Sequence, residues 1–297
     1  MGCQHRGHRV EWAPRRTPMS QAATDARAQQ VKRILVTGST DGIGLATAIA
    51  LAKQGHEVIL HGRNQERIRH ATQRLWEHVP DAAIEAVIGD FSSLQQVRRV
   101  AEAVLANSDR LDVLINNAAV MTRERRSSHD GYELTWAVNH LAPFLLTNLL
   151  LGILKKSAPA RVINVSSMSH SSGRINFDDL NMEESYDGLE AYAASKLANI
   201  LFTYELARRT TRLGVTANAL TPGVVRTKLL HVYYSGGVSA EEGASTCVYL
   251  AVSPEVENVS AAYFSDCKRA RSSQLSHNQE LAEQLWDASA KMVGLSE

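Results

Sequence analysis

Cysteine is scarce in this chain: Cys3, Cys247 and Cys267 are the three present among 297 residues, none forming a C-x-x-C pair. Neither a disulfide framework nor a structural zinc site is suggested, and a reducing, cytoplasmic setting is expected. An excess of one charge is also missing. With 32 basic and 31 acidic side chains the formal net charge is +1, without the concentrated basic excess of a nucleic-acid-binding protein. Long apolar runs are absent too: Leu145 to Leu154 is broken by Thr147, Asn148 and Gly152 and falls short of the ~20 residues a membrane-crossing helix needs. No nucleic-acid partner and no membrane span are therefore expected. The first thirty residues carry Arg6, Arg9, Arg15, Arg16 and Arg27 against Glu11 and Asp25, with no apolar core of a secretory signal. A disordered extension over residues 1–30 is expected, with an arginine-rich leader or a later start at Met19 as alternatives. Arg6 stands where myristoylation of Gly2 would require Ser or Thr.

What is present is alternation. From Val31 onward, short β-branched apolar runs (VKRILVTG, HEVILHG, AAIEAVIGD, LDVLINN, RVINVS, VTANAL) alternate with helical patterns (GLATAIALAKQG, ERIRHATQRLWEHV, VRRVAEAVLA, Thr135 to Leu154, Glu190 to Arg212). Repeated βα units predict a single doubly wound parallel sheet with helices on both faces, in one domain over residues 31–297. The closing NQELAEQLWDASAKMV reads as a packing helix.

The first strand runs into Thr37-Gly38-Ser39-Thr40-Asp41-Gly42-Ile43-Gly44 and then a helix, the context in which a glycine pattern signals a dinucleotide-binding, Rossmann-type loop. Gly38 suits the tight turn, Gly42 lets the backbone approach the pyrophosphate, and Gly44 lets the helix pack on the strand. Leu45 stands where a triphosphatase loop would place Lys, which removes phosphoryl transfer. The second strand ends in Gly62-Arg63-Asn64, without the acid that would bind a ribose 2′-hydroxyl. Arg63 suits a 2′-phosphate, so NADP is the expected cofactor and NAD the less favoured one.

Reducing a carbonyl by hydride requires a proton donor and a hydrogen-bond donor at the developing alkoxide. Tyr192-Ala193-Ala194-Ser195-Lys196 places a phenol and an ammonium one helical turn apart, where the cation and an oxidised nicotinamide would lower the phenol toward neutrality. Ser167 is the candidate hydrogen-bond donor. His56-Glu57 opens like a metalloprotease motif, but Leu60 occupies the second histidine's place and no metal is expected. The sequons at Asn164 and Asn258 are set aside, the first because it lies in a predicted buried strand.

TGSTDGIG, NNAA at Asn116 to Ala119, NVSS ending in Ser167, YAASK and TPGVVRT together, in that order, resemble the short-chain dehydrogenase/reductase family. DGYELTWAVNHLAPFLLTNLL, SKLANILFTYELARR and YFSDC resemble its retinol dehydrogenase and WW-domain oxidoreductase branch. The resemblance implies that Tyr192 is the general acid/base, that Lys196 lowers its pKa and binds the nicotinamide ribose, that Ser167 polarises the substrate oxygen, and that Asn139 supports a water-linked proton relay. It also implies cofactor contacts by Asp90 and Phe91 at the adenine, by Asn117, and by Val225 and Thr227 beside the carboxamide. Ala119 replaces the Gly usual in the family, and Leu45 a Lys frequent in the branch.

The segment between Ser167 and Tyr192, with Thr227 to Ser239, should border the substrate. Met168, Tyr186, Val232 and Tyr233 there are expected to form an apolar wall, the core or a homodimer contact, and Gly236-Gly237 a hinge. A small apolar alcohol or carbonyl compound is the expected substrate. The alternatives are a non-catalytic NADPH-binding redox sensor and a quinone- or protochlorophyllide-type reductase.

Overall fold

The computed structural model describes residues 31–233 and 235–295, so the extension expected over residues 1–30 lies outside the described residues. The strands are β1 (Arg33–Val36), β2 (Glu57–Gly62), β3 (Ile84–Ile88), β4 (Val113–Asn116), β5 (Ala160–Val165), β6 (Val215–Thr221), β7 (Ala262–Ser265) and β8 (Lys268–Ala270). The helices are α1 (Gly42–Lys53), α2 (Gln65–His78), α3 (Leu94–Asn107), α4 (Leu134–Trp136), α5 (Ala142–Lys156), α6 (Gly188–Thr210), α7 (Ala240–Val252) and α8 (Gln279–Met292). The eight strands form one sheet in the order β3-β2-β1-β4-β5-β6-β7-β8.

Alternation along each strand sends side chains to two cores. In β1, Leu35 packs with α3, α5, α6 and α8 through Val100, Leu146, Leu201 and Leu285. Its neighbours Ile34 and Val36 join α1, α2 and α7 on the other face through Leu51, Leu75 and Leu250. Both faces being covered explains why β1, β4 and β5 read as unbroken apolar runs. Chain order reverses between β1 and β4, which pair in parallel from Ile34 opposite Val113. A crevice therefore opens beyond their carboxyl ends, the position at which this architecture receives ligands.

Local chemistry sets the helix starts. Asp41, Asn64, Ser93 and Asp187 accept main-chain N–H bonds at the beginnings of α1, α2, α3 and α6, and Ser239 with Glu242 forms a capping box on α7.

The structure departs from the sequence expectation in three places. The sheet is parallel through β7, but β8 returns antiparallel, Tyr263 facing Ala270. The three exposed residues of β8 carry no apolar signature. Helix α7 was not anticipated because the residues it buries include Gly243, Ala244, Thr246 and Cys247, small side chains that make a weak stripe. The long helix is also interrupted: between α4 and α5 the chain makes a π-turn at Ala137–Leu141, with the Ala142 N–H donating to the Ala137 carbonyl.

Among the described residues one helix, Leu134–Lys156, is long and apolar enough to cross a membrane, although the run Leu145 to Leu154 alone is not. Some 78% of its apolar stretch is buried inside the fold, so its apolarity serves the core.

Candidate active site

The crevice is a cleft of about 320 Å³. One end is lined by Arg63, Arg67, Asp90 and Phe91, the middle by Gly38, Thr40, Asp41, Gly42, Ile43 and Gly44, and the other end by Tyr192, Lys196, Pro222 and Thr227.

The middle is shaped by close backbone approaches. Gly38 has φ +63°, and a Cβ there would lie 2.8 Å from Ala118 Cα. A Cβ on Gly44 would lie 2.4 Å from the Gly38 carbonyl oxygen and 2.5 Å from Asn117 Nδ2, so only glycine lets α1 seat against the loop. Asn117 is the brace: its Nδ2 donates to the Thr37 carbonyl at 2.8 Å, and its main-chain N–H to Thr37 Oγ1 at 2.9 Å. Asp41 caps α1 through the Gly42 N–H at 2.9 Å and also receives Lys228 Nζ at 2.5 Å, joining the loop to the segment after β6.

At the chemical end, α6 carries Tyr192 and Lys196 on one face in the cleft wall, Lys196 buried and Tyr192 half-buried. Lys196 Nζ sits 5.4 Å from the centre of the Tyr192 ring and donates to the Val165 carbonyl at 3.0 Å. Ser167 follows β5 and starts a 3-10 turn over Met168–Ser171; its hydroxyl also hydrogen-bonds Tyr192. Burial pushes the Tyr192 phenol up to about 12, a rise the Ser167 hydrogen bond only partly offsets. Burial likewise pushes the Lys196 ammonium down to about 7. In the protein alone desolvation dominates both groups; the expected lowering of Tyr192 called on an oxidised nicotinamide as well as on Lys196.

Asn139 lies in the π-turn, fully buried. Its Oδ1 accepts the Val120 N–H at 2.8 Å, while Nδ2 donates to the Val120 carbonyl at 3.0 Å and to Ser195 Oγ at 3.1 Å. Ser195 Oγ in turn donates to the Tyr192 carbonyl at 2.7 Å. The amide's two donors are thus both engaged, and the side chain ties the loop after β4 to the helix that presents Tyr192.

Residues 32–235 match the short chain dehydrogenase family. The chain belongs to that family. It is 43% identical over 291 residues to retinol dehydrogenase 14 of Homo sapiens, with 89% of this chain and 87% of that protein covered. Among solved structures it resembles an uncharacterised protein from Mycobacterium Paratuberculosis at 32% identity and a TM-score of 0.75, covering 91% of this chain and 97% of that one. It also resembles a blue fluorescent protein from a metagenomic library in complex with NADPH, at 26% identity and a TM-score of 0.65, covering 78% and 95%. As a short-chain dehydrogenase of the retinol dehydrogenase-like branch, the chain is an NAD(P)-dependent oxidoreductase acting on CH–OH groups.

Three residues expected at the cofactor do not line the cleft of this dehydrogenase. Ser39 is buried, its hydroxyl accepting the His61 N–H at 2.9 Å. Asn64 turns its Oδ1 to the Arg67 N–H at 3.0 Å to cap α2. Val225 is 4% exposed and packs against Gly243 in α7. Met168, Tyr186, Val232 and Tyr233, expected in a substrate wall, the core or a dimer contact, are not among the residues lining this cleft. The Tyr186 hydroxyl bonds Thr122 Oγ1 at 2.7 Å and Glu133 Oε1 at 3.2 Å, and the Val232 carbonyl accepts from Arg123 Nε at 2.7 Å. These groups fasten loops together. Sequence reasoning missed Arg67, His61 and Lys228. Arg67 had a signal in the helix cap three residues before it, whereas His61 and Lys228 had none short of the tertiary fold. Among the described residues no cluster of His, Cys, Asp or Glu is placed to hold a metal.

Proposed function

We propose that the chain is an NADP(H)-dependent oxidoreductase moving a hydride between nicotinamide and an apolar alcohol or carbonyl compound, with Tyr192 as general acid/base. The observation that carries this reading is the layout of the cleft, with Arg63 and Arg67 at one end and Tyr192 and Lys196 at the other. The residues fit a dinucleotide. The α1 N-terminus and the glycine cradle suit a pyrophosphate, and the two guanidiniums suit a 2′-phosphate, with Arg63 rather than an acid following β2. When bound, NADPH supplies the hydride.

In the reducing direction Tyr192 gives its phenolic proton to the substrate oxygen as charge develops there, and Ser167 donates a hydrogen bond to the same oxygen. Lys196, held by the Val165 carbonyl, stabilises the phenolate that remains. Asn139 acts at one remove, fixing the turn of α6 through Ser195. An apolar substrate is supported by the exposed side chains of Met168, Leu189 and Val224, which lie within three residues of Ser167, Tyr192 and Pro222 along the chain. The likeness to a retinol dehydrogenase points the same way.

The test is NADPH oxidation with retinal, straight-chain aldehydes and quinones. Tyr192→Phe should lower turnover by about 10² to 10⁴ while NADPH still binds. Arg63→Asp should weaken NADPH more than NADH; equal weakening of both overturns the NADP assignment. Cofactor binding by the wild type without turnover of any compound favours a redox sensor instead.

A further inference from the structure

The fifth residue of β2, His61, is 3% exposed and lies beneath the first turn of the glycine loop. The Gly38 N–H donates to its Nδ1 at 3.0 Å, and its Nε2 lies 3.0 Å from the Gly89 carbonyl oxygen beyond β3. A main-chain N–H can only donate and a carbonyl can only accept, so these partners fix the tautomer: Nδ1 bare, Nε2 protonated. A charged imidazole would have no lone pair for Gly38. Burial suppresses that form by pushing the ring down to about 4, against smaller raising effects of the Gly89 bond and Asp90.

The ring also stacks on Phe91 at the adenine end of the cleft, with centroids 4.1 Å apart. The main chain of His61 completes the grip, its N–H donating to Ser39 Oγ at 2.9 Å and its carbonyl accepting the Ser39 N–H at 3.0 Å. One residue thus holds the ends of β1 and β3 and the ring at the adenine end. On the opposite side Ala118 wedges Gly38.

We propose that His61 is a cofactor-positioning residue: as an Nε2–H imidazole it orients the Thr37–Gly38 peptide and so sets the shape in which the loop receives the dinucleotide's pyrophosphate. This rests on the dinucleotide reading of the cleft. The Gly38 amide is spent on the imidazole, so the pyrophosphate is left to amides nearer the start of α1.

Two variants separate positioning from bulk packing. His61→Phe keeps an aromatic ring for Phe91 but removes both hydrogen bonds; His61→Asn places an amide oxygen as many bonds from the backbone as Nδ1 and restores an acceptor for Gly38. Fluorescence titrations would use NADPH and adenosine 2′,5′-bisphosphate, which has the adenine and 2′-phosphate but no pyrophosphate. His61→Phe should weaken NADPH about tenfold, the equivalent of one lost hydrogen bond, and His61→Asn should recover most of it. The bisphosphate should change less than about threefold, and turnover at saturating cofactor less than about twofold.

A His61→Phe protein that binds NADPH as the wild type does overturns the proposal, as does equal weakening of both ligands without recovery in His61→Asn. A wild type that binds neither NADPH nor NADH overturns the dinucleotide reading and this proposal with it. Nitrogen-15 spectra of wild-type imidazoles supply a readout independent of any variant's folding: a buried ring protonated at Nε2 alone at pH 7 is expected for His61, and an Nδ1–H or charged ring refutes the assignment.

Discussion

Acidification from pH 7 to pH 5 should cost this fold roughly 4 kcal/mol through two buried histidines. Burial pushes His61 down to about 4 and His140 down to about 3, and both rings are wholly enclosed. His140 Nε2 meets Ser289 Oγ of α8 at 2.7 Å. In the unfolded chain each would titrate near 6.5. Between the folded and unfolded values the unfolded state binds the extra proton, so falling pH favours unfolding; the stabilisation is complete above about 6.5 and is lost toward the folded values. At pH 5 an unfolded imidazole is almost fully charged while the native one stays neutral, a difference of about 1.4 pK units beyond that at pH 7, or roughly 2 kcal/mol per ring. The assay is urea unfolding followed by tryptophan fluorescence at pH 7, 6 and 5. Carboxylates do not confuse this window, since their unfolded forms titrate near 4. His140→Gln should be less stable at pH 7 yet lose only about half as much between pH 7 and 5. A wild-type unfolding free energy that stays constant across that range, or rises toward acid, refutes the reasoning.

Gly44→Ala should abolish most cofactor binding, because its Cβ would lie 2.4 Å from the Gly38 carbonyl oxygen and 2.5 Å from an Asn117 amide itself held at 2.8 Å by Thr37. NADPH titration checks this, and binding within about threefold of wild type contradicts it. Glu205 is 2% exposed, and its carboxylate takes Arg208 Nη2 at 2.7 Å and Arg209 Nε at 2.5 Å. Its burial would raise the pKa, but the two guanidiniums outweigh it and hold the carboxyl below the usual carboxylate range. Its stabilisation is therefore full above about pH 4.3 and fades as pH falls through the lower folded value. Glu205→Gln should cost about 1–2 kcal/mol at pH 7, limited by the partly exposed arginines, and the gap to wild type in urea unfolding should close in acid.

Legibility in the sequence followed the physics of each signal. β1, β4 and β5 were readable because strands covered on both faces must be apolar throughout, and the glycine loop because its conformation and crowding tolerate no other residue at Gly38 and Gly44. The YAASK helix was readable because four-residue spacing fixes which side chains share a face. β8 was not: an exposed edge strand of Lys268, Arg269 and Ala270 has no burial to record in its composition. Ser39 and Asn64 were expected at the cofactor as members of the loops after β1 and β2, and Val225 from the family resemblance. Whether such a side chain faces the cleft or serves the scaffold depends on contacts with His61, Arg67 and Gly243, which no local pattern specifies.

The same distinction governs the chemistry. Spacing alone made Lys196 the partner of Tyr192, and the structure places the ammonium 5.4 Å from the ring centre. Burial nevertheless pushes the phenol up to about 12 and the ammonium down to about 7, so the protein by itself disfavours both charged forms. Bringing Tyr192 from there to neutrality requires roughly 7 kcal/mol of added preference for phenolate. The Ser167 hydrogen bond already acts within that value, and the charge of Lys196 is itself weakened by desolvation. In the function proposed above, the positive charge of the oxidised cofactor would supply the remainder when bound. On that reading acid/base competence would belong to the complex rather than to the side chains alone, and the desolvation that makes Tyr192 a poor acid in isolation is the setting in which a nearby positive charge acts most strongly.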